Sequence, residues 1–315
     1  MLSIIVPVFN EEESIPNLFD AIKRSVQPLG LDWELIFVDD GSKDKSLAKI
    51  KTIVSENPEQ VRAVVLRRNF GQTSAIAAGI DHSHGDIIVL IDADMQNDPA
   101  DIPLLVKKVQ EGYDVVSGWR YDRQDNFLTR TLPSKIANSL ISLVTGVRLH
   151  DYGCTLKAYC REVITGFRLY GEMHRFIPVY ASSVGARITE VKVRHHKRKY
   201  GKAKYGLERT FKVILDLFTV KFLTSFSNKP IYLFGGTGLI LIIFSFITIL
   251  VLAIRRILYA ISPFTSPLFI ISVMISIMGF QSILMGLIAE LLVRTYHESQ
   301  NKPVYTVKEI IHSTA

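Results

Sequence analysis

The sequence predicts an α/β domain with a doubly wound, mainly parallel sheet, followed by a C-terminal transmembrane hairpin of two helices. Over the first 120 residues, short runs rich in β-branched residues alternate with stretches of helical periodicity. From residue 231 onward, two long runs carry no charged residue. The mean hydropathy of +0.23 is high for a water-soluble domain, and these two runs in a membrane would account for it.

The predicted strands of the soluble part are SIIVPV, ELIFVDD, VRAVVL, DIIVLIDAD and YDVVSG. Helices are expected from about Ser14, from about Asp44, over residues 74–81 and over residues 99–110. Each helix separates two strands, which allows consecutive strands to run parallel. We therefore expect a sheet whose ligand site lies at the carboxyl ends of the strands.

Composition excludes several classes of protein. The chain has 315 residues, of which 48% are hydrophobic and two are Cys, which argues against a disordered chain, a collagen-like repeat and a disulfide scaffold. No Gly-x-Gly-x-x-Gly follows the first strand, and the sequence contains no Gly-x-x-x-x-Gly-Lys-[Ser/Thr]. A dinucleotide-binding domain and a P-loop NTPase are thus disfavoured.

The uncharged runs extend over residues 231–254 and 268–289. At about 1.5 Å per residue, each can cross a hydrocarbon core of about 30 Å. Buried core helices are the alternative, but charges that occur only at the ends of tandem runs favour two spans within residues 230–292. Basic residues near the spans are more numerous on the side of the termini, which predicts a multi-pass protein of the inner or plasma membrane, with residues 1–205 and a tail over 293–315 in the cytoplasm.

Acidic residues follow three predicted strands, as Asn10-Glu11, Asp39-Asp40 and Asp92-Ala93-Asp94. If the last segment is extended, Asp92 and Asp94 lie on one side of it, and Gln96 continues the alternation. Oxygen ligands of this kind favour Mg²⁺ or Mn²⁺. The alternative for acidic residues at such positions is to cap the next helix, which we expect of Asp44 and Asp98.

A basic segment precedes the first uncharged run. Of the formal net charge of +7, much comes from residues 192–204, which contain Lys192, Arg194, Lys197, Arg198, Lys199, Lys202 and Lys204. Over residues 206–229, apolar side chains recur at helical spacing, which predicts an amphipathic juxtamembrane helix. Beside a membrane span, the basic segment favours attraction to anionic lipid over nucleic acid, which is not an expected partner. A plain juxtamembrane anchor is the alternative.

Four stretches carry a family resemblance: IVPVFNEEESI, FVDDGSKDKS, RRNFGQTSAIAAGIDHSHGD and LIDADMQNDP. In order and spacing, residues 1–205 resemble the family 2 glycosyltransferases of GT-A fold. The two predicted spans narrow the resemblance to polyprenyl-phosphate glycosyltransferases. It implies inverting transfer of a sugar from a UDP- or GDP-linked donor to undecaprenyl or another polyprenyl phosphate, with Mg²⁺ or Mn²⁺, for a cell-envelope glycan or lipid modification.

Two alternatives to this activity remain open. A processive polysaccharide synthase shares the GT-A domain but carries a Gln-x-x-Arg-Trp segment and more spans, which this sequence lacks. A catalytically silent membrane adaptor could retain the fold, although Glu11, Asp92 and Asp94 are all intact.

The resemblance also implies roles for individual residues. The nucleotide sugar would be bound by Pro7, Phe9, Glu11, Val38, Asp40, Asp92 and Ala93, and the metal by Asp92, Asp94 and Gln96. The diphosphate or lipid phosphate would face Arg120, Arg130, Lys204 and Tyr205. The place of the basic segment beside the membrane, and not the resemblance, adds Lys197 and Arg198 to this set. The expected catalytic residues are Asp94, Arg120 and Asp151, the last of which would orient the acceptor or its loop, or act only as a turn carboxylate. An acceptor phosphate is itself an anionic nucleophile, so no strong general base is required.

The first span contains Gly235, Gly236 and Gly238, which could allow helices to approach closely. We therefore count a homo-oligomer among the expected partners.

Overall fold

The computed structural model describes residues 1–122, 132–165, 169, 173–197, 231–259, 262, 266–299 and 305–312. The chain forms two compact units. The first comprises Met1–Val220 together with Pro303–Ala315, and the second comprises Lys221–Lys302. The predicted amphipathic helix over 206–229 lies outside the described residues, as do four predicted site residues, Arg130, Arg198, Lys204 and Tyr205.

The first half of the chain follows the predicted alternation. Its strands are β1 (Leu2–Val8), β2 (Trp33–Asp39), β3 (Val61–Leu66), β4 (Ile87–Leu90) and β5 (Val115–Arg120). Its helices are α1 (Ile15–Val26), α2 (Ser46–Glu56), α3 (Gln72–Asp81) and α4 (Ile102–Gln110). The strands are buried almost throughout because helices cover the sheet, which is why they read as continuous apolar runs.

The remaining elements of the first unit are α5 (Leu132–Thr145), β6 (Lys157–Cys160), α6 (Arg161–Ile164), α7 (Ile177–Ser183), β7 (Ile188–Val193) and β8 (Val307–Ile311). The described strands form one sheet in the order β7-β5-β6-β4-β1-β2-β3-β8. Strands β1 to β4 pair in parallel, and so do β5 and β7. The predicted mainly parallel α/β sheet is confirmed, with two antiparallel strands added.

One of the antiparallel strands, β6, lies between β4 and β5. Its first residue, Lys157, pairs with Leu90 at the end of β4 and with Ser117 in β5. Because β6 runs in the opposite direction, the loop that precedes it enters at the same edge at which β4 and β5 end. Three loops therefore meet at that edge.

The other antiparallel strand, β8, comes from the segment that the sequence suggested as a tail. It pairs with β3 at the outer edge of the sheet. Tyr305 donates a hydrogen bond from its hydroxyl to Asp81 (2.7 Å), and Lys51 forms an ion pair with Glu309 (3.0 Å). Part of residues 293–315 thus belongs to the sheet, where it covers the otherwise open edge of β3.

At the amino ends of the strands lies a buried charge, Glu34, which is distant from the ligand edge. Its carboxylate accepts hydrogen bonds from the Ser3 hydroxyl and the His84 amide and pairs with Arg62. Burial alone would raise the pKa of Glu34, but these hydrogen bonds and the Arg62 charge together hold it below its ordinary value. The network ties β1, β2 and β3 together at this end.

We expect Glu34→Gln to destabilise the protein by about 1–3 kcal/mol at neutral pH, because buried donors lose a charged acceptor. A lowered pKa means that the stabilisation is present above the unfolded value and is lost as pH falls through the folded value. The difference from wild type should therefore shrink below about pH 4. Urea unfolding of both proteins from pH 7 to pH 3 measures this, and a constant difference would contradict the prediction.

The second unit contains two long helices, α8 (Ile231–Tyr259) and α9 (Pro267–Ser299). By length and composition, Phe234–Leu258 and Pro267–Ala289 are apolar enough to cross a membrane. Only 17% and 11% of the most apolar stretch of each helix is buried within the protein, whereas the core helices of a soluble domain are mostly buried. The two predicted spans are therefore present as helices, each extending beyond its predicted end.

Helices α8 and α9 approach each other through small and hydroxyl-bearing residues. A Cβ on Gly238 would lie 2.5 Å from the Gly279 carbonyl oxygen, so these backbones are in direct contact. Ser245 donates a hydrogen bond to the Ser272 carbonyl (2.6 Å), and Ser282 donates to the Phe234 carbonyl (2.8 Å). Small residues and interhelical hydrogen bonds are the usual means of helix association in lipid. Gly238 thus serves the contact within this pair, and the homo-oligomer stays a prediction.

Substitution of Gly238 by Ala should weaken the helix pair by about 1–3 kcal/mol, because the new methyl group meets backbone atoms that cannot yield. Gly236→Ala is the matched control, since apart from nearby backbone of its own helix no atom lies within 4 Å of the added Cβ. Unfolding of both variants by titration with a denaturing detergent measures the difference. Equal midpoints for the two variants would show that the contact is not close.

Candidate active site

Five of the seven residues predicted to bind the nucleotide sugar lie at the carboxyl ends of β1 and β2. Pro7 and Val38 are register partners on the two strands, and Glu11 and Asp40 are nearly buried just beyond them. The side chain of Val38 packs against α3 at Gly79, so Val38 would support a pocket from behind. Phe9 is half-buried beside them. The structure thus brings all five predicted residues to one place, and their role in binding stays a prediction.

The Asp40 carboxylate is held by the backbone of the next loop. It accepts hydrogen bonds from the Phe70 and Gly71 amides, at 2.7 and 2.9 Å. Burial raises the pKa of Asp40 even though these bonds oppose the rise. Gly41 has a φ of +71°, and a Cβ there would lie 2.7 Å from the Arg68 carbonyl carbon, so the loops after β2 and β3 touch backbone to backbone. This packing determines where the Asp40 carboxylate lies.

The Asp-x-Asp segment follows β4, but it is not extended as the sequence suggested. It turns at Ala93 and Asp94, and Met95 adopts a positive φ of 60°. Asp92 accepts a hydrogen bond from the Gln72 side-chain amide (2.7 Å), and Asp94 accepts one from the Gln96 backbone amide (3.1 Å). Backbone strain of this kind concentrates at functional sites. Both carboxylates are half-buried in a structured turn, while Ala93 is buried.

The predicted metal ligands have the right chemistry for a hard divalent cation. Two carboxylates and the amide oxygen of Gln96 form a set of oxygen donors, which suits Mg²⁺ or Mn²⁺. Within the described part of the chain, no three His, Cys, Asp or Glu side chains are grouped as a metal site. That finding is compatible with the predicted set, whose third member is Gln and whose other ligands would be water or substrate oxygens.

The start of the basic segment is attached to the Asp-x-Asp turn, a contact that sequence reasoning missed. Asn97 and His195 form a β-bridge, and the His196 amide donates to the Gln96 carbonyl (2.8 Å). Arg194 pairs with Asp101 (2.7 Å) and with Asp98 (3.2 Å).

Asp98 has a double role in this attachment. It caps the following turn, as predicted, by accepting from the Ala100 amide (3.0 Å). Burial alone would raise the pKa of Asp98, but the bonds from Ala100 and His196 and the charge of Arg194 lower it. Exposed Lys197 follows directly after this anchored segment.

Two of the predicted catalytic residues form a buried ion pair. The Arg120 guanidinium donates from Nε to Asp151 Oδ2 (2.6 Å) and from Nη2 to Asp151 Oδ1 (2.9 Å). The two side chains are only 14% and 3% exposed. Bidentate pairs of this kind specify orientation as well as position. Asp151 also accepts from the Gly153 amide (3.1 Å), so it both orients Arg120 and caps a turn.

Neither cysteine is disposed to act as a nucleophile. Both are free thiols, as expected from the sequence. Burial raises the pKa of Cys154 to about 11, so this thiol stays protonated at neutral pH.

Comparison with known proteins identifies the family. The model of the family described as "Glycosyl transferase family 2" matches residues 3–167, which include the Asp-x-Asp turn, Arg120 and Asp151. The chain belongs to glycosyl transferase family 2. It is therefore a glycosyltransferase, and the expected family is confirmed.

Two relatives match nearly the whole of this glycosyltransferase. A dodecaprenyl-phosphate galacturonate synthase of Rhizobium johnstonii is 41% identical over 312 residues, which cover 98% of this chain and 92% of that protein. An undecaprenyl-phosphate 4-deoxy-4-formamido-L-arabinose transferase of Proteus mirabilis is 35% identical over 311 residues, which cover 98% and 94%.

A solved structure supports the fold. The glucosyl-3-phosphoglycerate synthase of Mycobacterium tuberculosis, determined with Mn²⁺, uridine diphosphate and phosphoglyceric acid, aligns with a TM-score of 0.53 at 23% identity. The alignment covers 70% of this chain and 78% of that one. The predicted GT-A fold is thereby confirmed.

We expect Asp151→Asn to reduce glycosyl transfer by about 10- to 100-fold, because the Arg120 guanidinium loses the charged partner that orients it. Steady-state turnover of the purified protein measures the loss, with circular dichroism to verify that the sheet is intact. Asp86→Asn serves as control, since this exposed carboxylate pairs with the N-terminal amine at the amino ends of the strands. Full turnover in Asp151→Asn would mean that the pair has no catalytic role.

Proposed function

We propose that this glycosyltransferase transfers a sugar from a UDP- or GDP-linked donor to a polyprenyl phosphate, with inversion at the anomeric carbon. The observation that carries the proposal is the extent of the similarity to the two polyprenyl-phosphate enzymes. It covers 98% of the chain and so includes both long apolar helices. These helices support retention at a membrane, where the acceptor lipid resides. The distribution of basic residues near them supports a cytoplasmic location of the first unit.

The positive charge at the end of β5 suits the chemistry of this reaction. An anionic acceptor phosphate must approach an anionic donor, and the leaving nucleoside diphosphate gains charge as the glycosidic bond breaks. Arg120, oriented by Asp151, would donate charge-assisted hydrogen bonds to a phosphate oxygen and so reduce this repulsion. The acceptor phosphate attacks directly as an anion, so a single displacement proceeds without a strong general base.

The residues of the Asp-x-Asp turn would hold Mg²⁺ or Mn²⁺. Asp92, Asp94 and Gln96 supply the oxygens for this ion. When bound, such an ion neutralises negative charge on the diphosphate as a Lewis acid. The Gln72 side chain and the Gln96 amide orient the two carboxylates through the hydrogen bonds described above.

Binding of the lipid phosphate would involve the basic segment. Lys197 is exposed just after Arg194 and His196, which are attached to Asp98 beside the Asp-x-Asp turn. We assign to the same role Arg130, Arg198, Lys204 and Tyr205, which lie outside the described residues. Basic side chains near an anionic membrane surface contribute about 1 kcal/mol each to attraction.

The direct test is an assay of the full-length protein in detergent with undecaprenyl phosphate and a panel of UDP- and GDP-sugars. Mass spectrometry of the extracted lipid should detect one added glycosyl residue with one donor or a small set of donors. Absence of a lipid-linked product with every donor, in the presence of Mg²⁺ and of Mn²⁺, would overturn the proposal.

With the donor found in that assay, Asp94→Asn should reduce turnover by at least about 100-fold, because one charged ligand of the metal is lost. Excess chelator should abolish turnover of the wild type, and added Mg²⁺ or Mn²⁺ should restore it. Asp86→Asn is the matched control, since Asp86 is exposed and pairs with the N-terminal amine at the other edge of the sheet. Undiminished activity in chelator would overturn the metal assignment.

A further inference from the structure

Lys157 is a buried lysine in an inner strand of the sheet, and it has no role in the reaction proposed above. It is 2% exposed and is the first residue of β6. Its register partners are Leu90, two residues before Asp92, and Ser117, three residues before Arg120. Lys157 therefore lies at the base of the loops that carry the metal ligands and the Arg120–Asp151 pair.

The ammonium group of Lys157 contacts the turn that follows Asp151. Nζ donates hydrogen bonds to the Tyr152 carbonyl (3.0 Å) and to the Cys154 carbonyl. Between these residues, the Gly153 amide donates to Asp151 Oδ1 (3.1 Å). The 152–154 turn is thus held by Lys157 through two carbonyls and by Asp151 through one amide.

The same turn lies against the guanidinium of Arg120. A Cβ on Gly153 would come 3.1 Å from Arg120 Nη2, which leaves little space between the turn and this side chain. A shift of the turn would therefore displace Asp151, the guanidinium of Arg120, or both. A contiguous path of contacts joins Lys157 to Arg120 through two backbone carbonyls, one amide and one carboxylate.

A buried ammonium is an unusual choice for packing alone. Burial disfavours the charged form and lowers the pKa of Lys157, although the charges of Asp151 and Asp92 oppose this effect. A methionine would fill similar volume without the desolvation penalty, but it would leave the Tyr152 and Cys154 carbonyls without this donor. A lysine at this position is explained if holding the 152–154 turn in place is worth more to the protein than the desolvation penalty of the buried ammonium.

We infer that Lys157 is a positioning residue for glycosyl transfer: its ammonium holds the 152–154 turn, and through it Asp151 and Arg120, in the arrangement that receives a phosphate. This inference rests on the proposed function only in taking Arg120 to meet a phosphate.

The experiment compares Lys157→Met and Lys157→Arg with Glu34→Gln, a change of a buried charge at the opposite end of the sheet. Lys157→Met should lower kcat by about 10- to 100-fold and change KM for the nucleotide sugar by less than about threefold. Lys157→Arg should recover part of kcat because it keeps a cation that can donate hydrogen bonds to the Tyr152 and Cys154 carbonyls. Glu34→Gln should lower thermal stability with kcat within about twofold of wild type.

A double-mutant cycle tests the path. If Lys157 acts through Asp151, the combined variant Lys157→Met with Asp151→Asn should be within about threefold of Asp151→Asn alone. Multiplication of the two single losses would overturn the inference, as would failure of Lys157→Arg to recover more activity than Lys157→Met.

Hydrogen exchange provides a readout that does not need activity. Peptides that cover residues 149–156 should exchange faster in Lys157→Met than in wild type, and Glu34→Gln should leave them unchanged. If the wild type transfers no sugar, the proposed function fails while this comparison still decides the role of Lys157. Unchanged exchange in the turn would overturn the inference whatever the activity. Lys157→Gln, which loses the charge but keeps a shorter N–H donor, replaces the Met variant if that variant does not fold, and changes in the same direction but of smaller size are expected.

Discussion

The reversal of β6 between β4 and β5 brings the parts of the candidate site together. Strands β4 and β5 both end at the ligand edge, and the loop before β6 enters the sheet between them. As a result, the Asp-x-Asp turn, Arg120 and Asp151 lie around one strand end, although Asp92 and Asp151 are 59 positions apart in the sequence. If β6 ran parallel to β4 and β5, the loop before it would enter at the opposite edge of the sheet. Asp151 would then lie far from Arg120.

Charged side chains of both signs lie around this strand end. The carboxylates of Asp92 and Asp94 could bind a cation. Arg120 forms an ion pair with Asp151, and Arg194 forms ion pairs with Asp98 and Asp101. Each buried or half-buried charge thus has an opposite charge or a dipole nearby, which limits the cost of desolvation. The oxygen donors of the Asp-x-Asp turn are suited to a divalent ion.

The helix pair in the second unit follows a different logic. In a sheet core, apolar burial drives packing, whereas in lipid the surroundings are as apolar as the helices. The contacts between α8 and α9 accordingly use Gly238 with Gly279 and serine hydroxyls that bond to carbonyls across the pair. Most of the large apolar side chains of these helices remain on the outside, where lipid would cover them.

Local pattern alone determined much about this protein. Period and composition predicted the first five strands, the helices between them and the two long apolar helices, because burial on both faces of a sheet and residence in lipid each leave a strong local signature. The acidic residues at strand ends and the family resemblance also named residues that the structure brings together at one edge of the sheet, and their roles stay predictions. Only the tertiary structure decided the direction of β6, the return of residues 307–311 to the sheet edge and the turn at Asp94. It also decided that Asp151 meets Arg120, that Arg194 meets Asp98 and that Lys157 lies beneath them. These features depend on which distant segments pair with each other. Strands as short as β6 and β8 carry no local sequence pattern that identifies the partner strand, and neither does the buried Lys157.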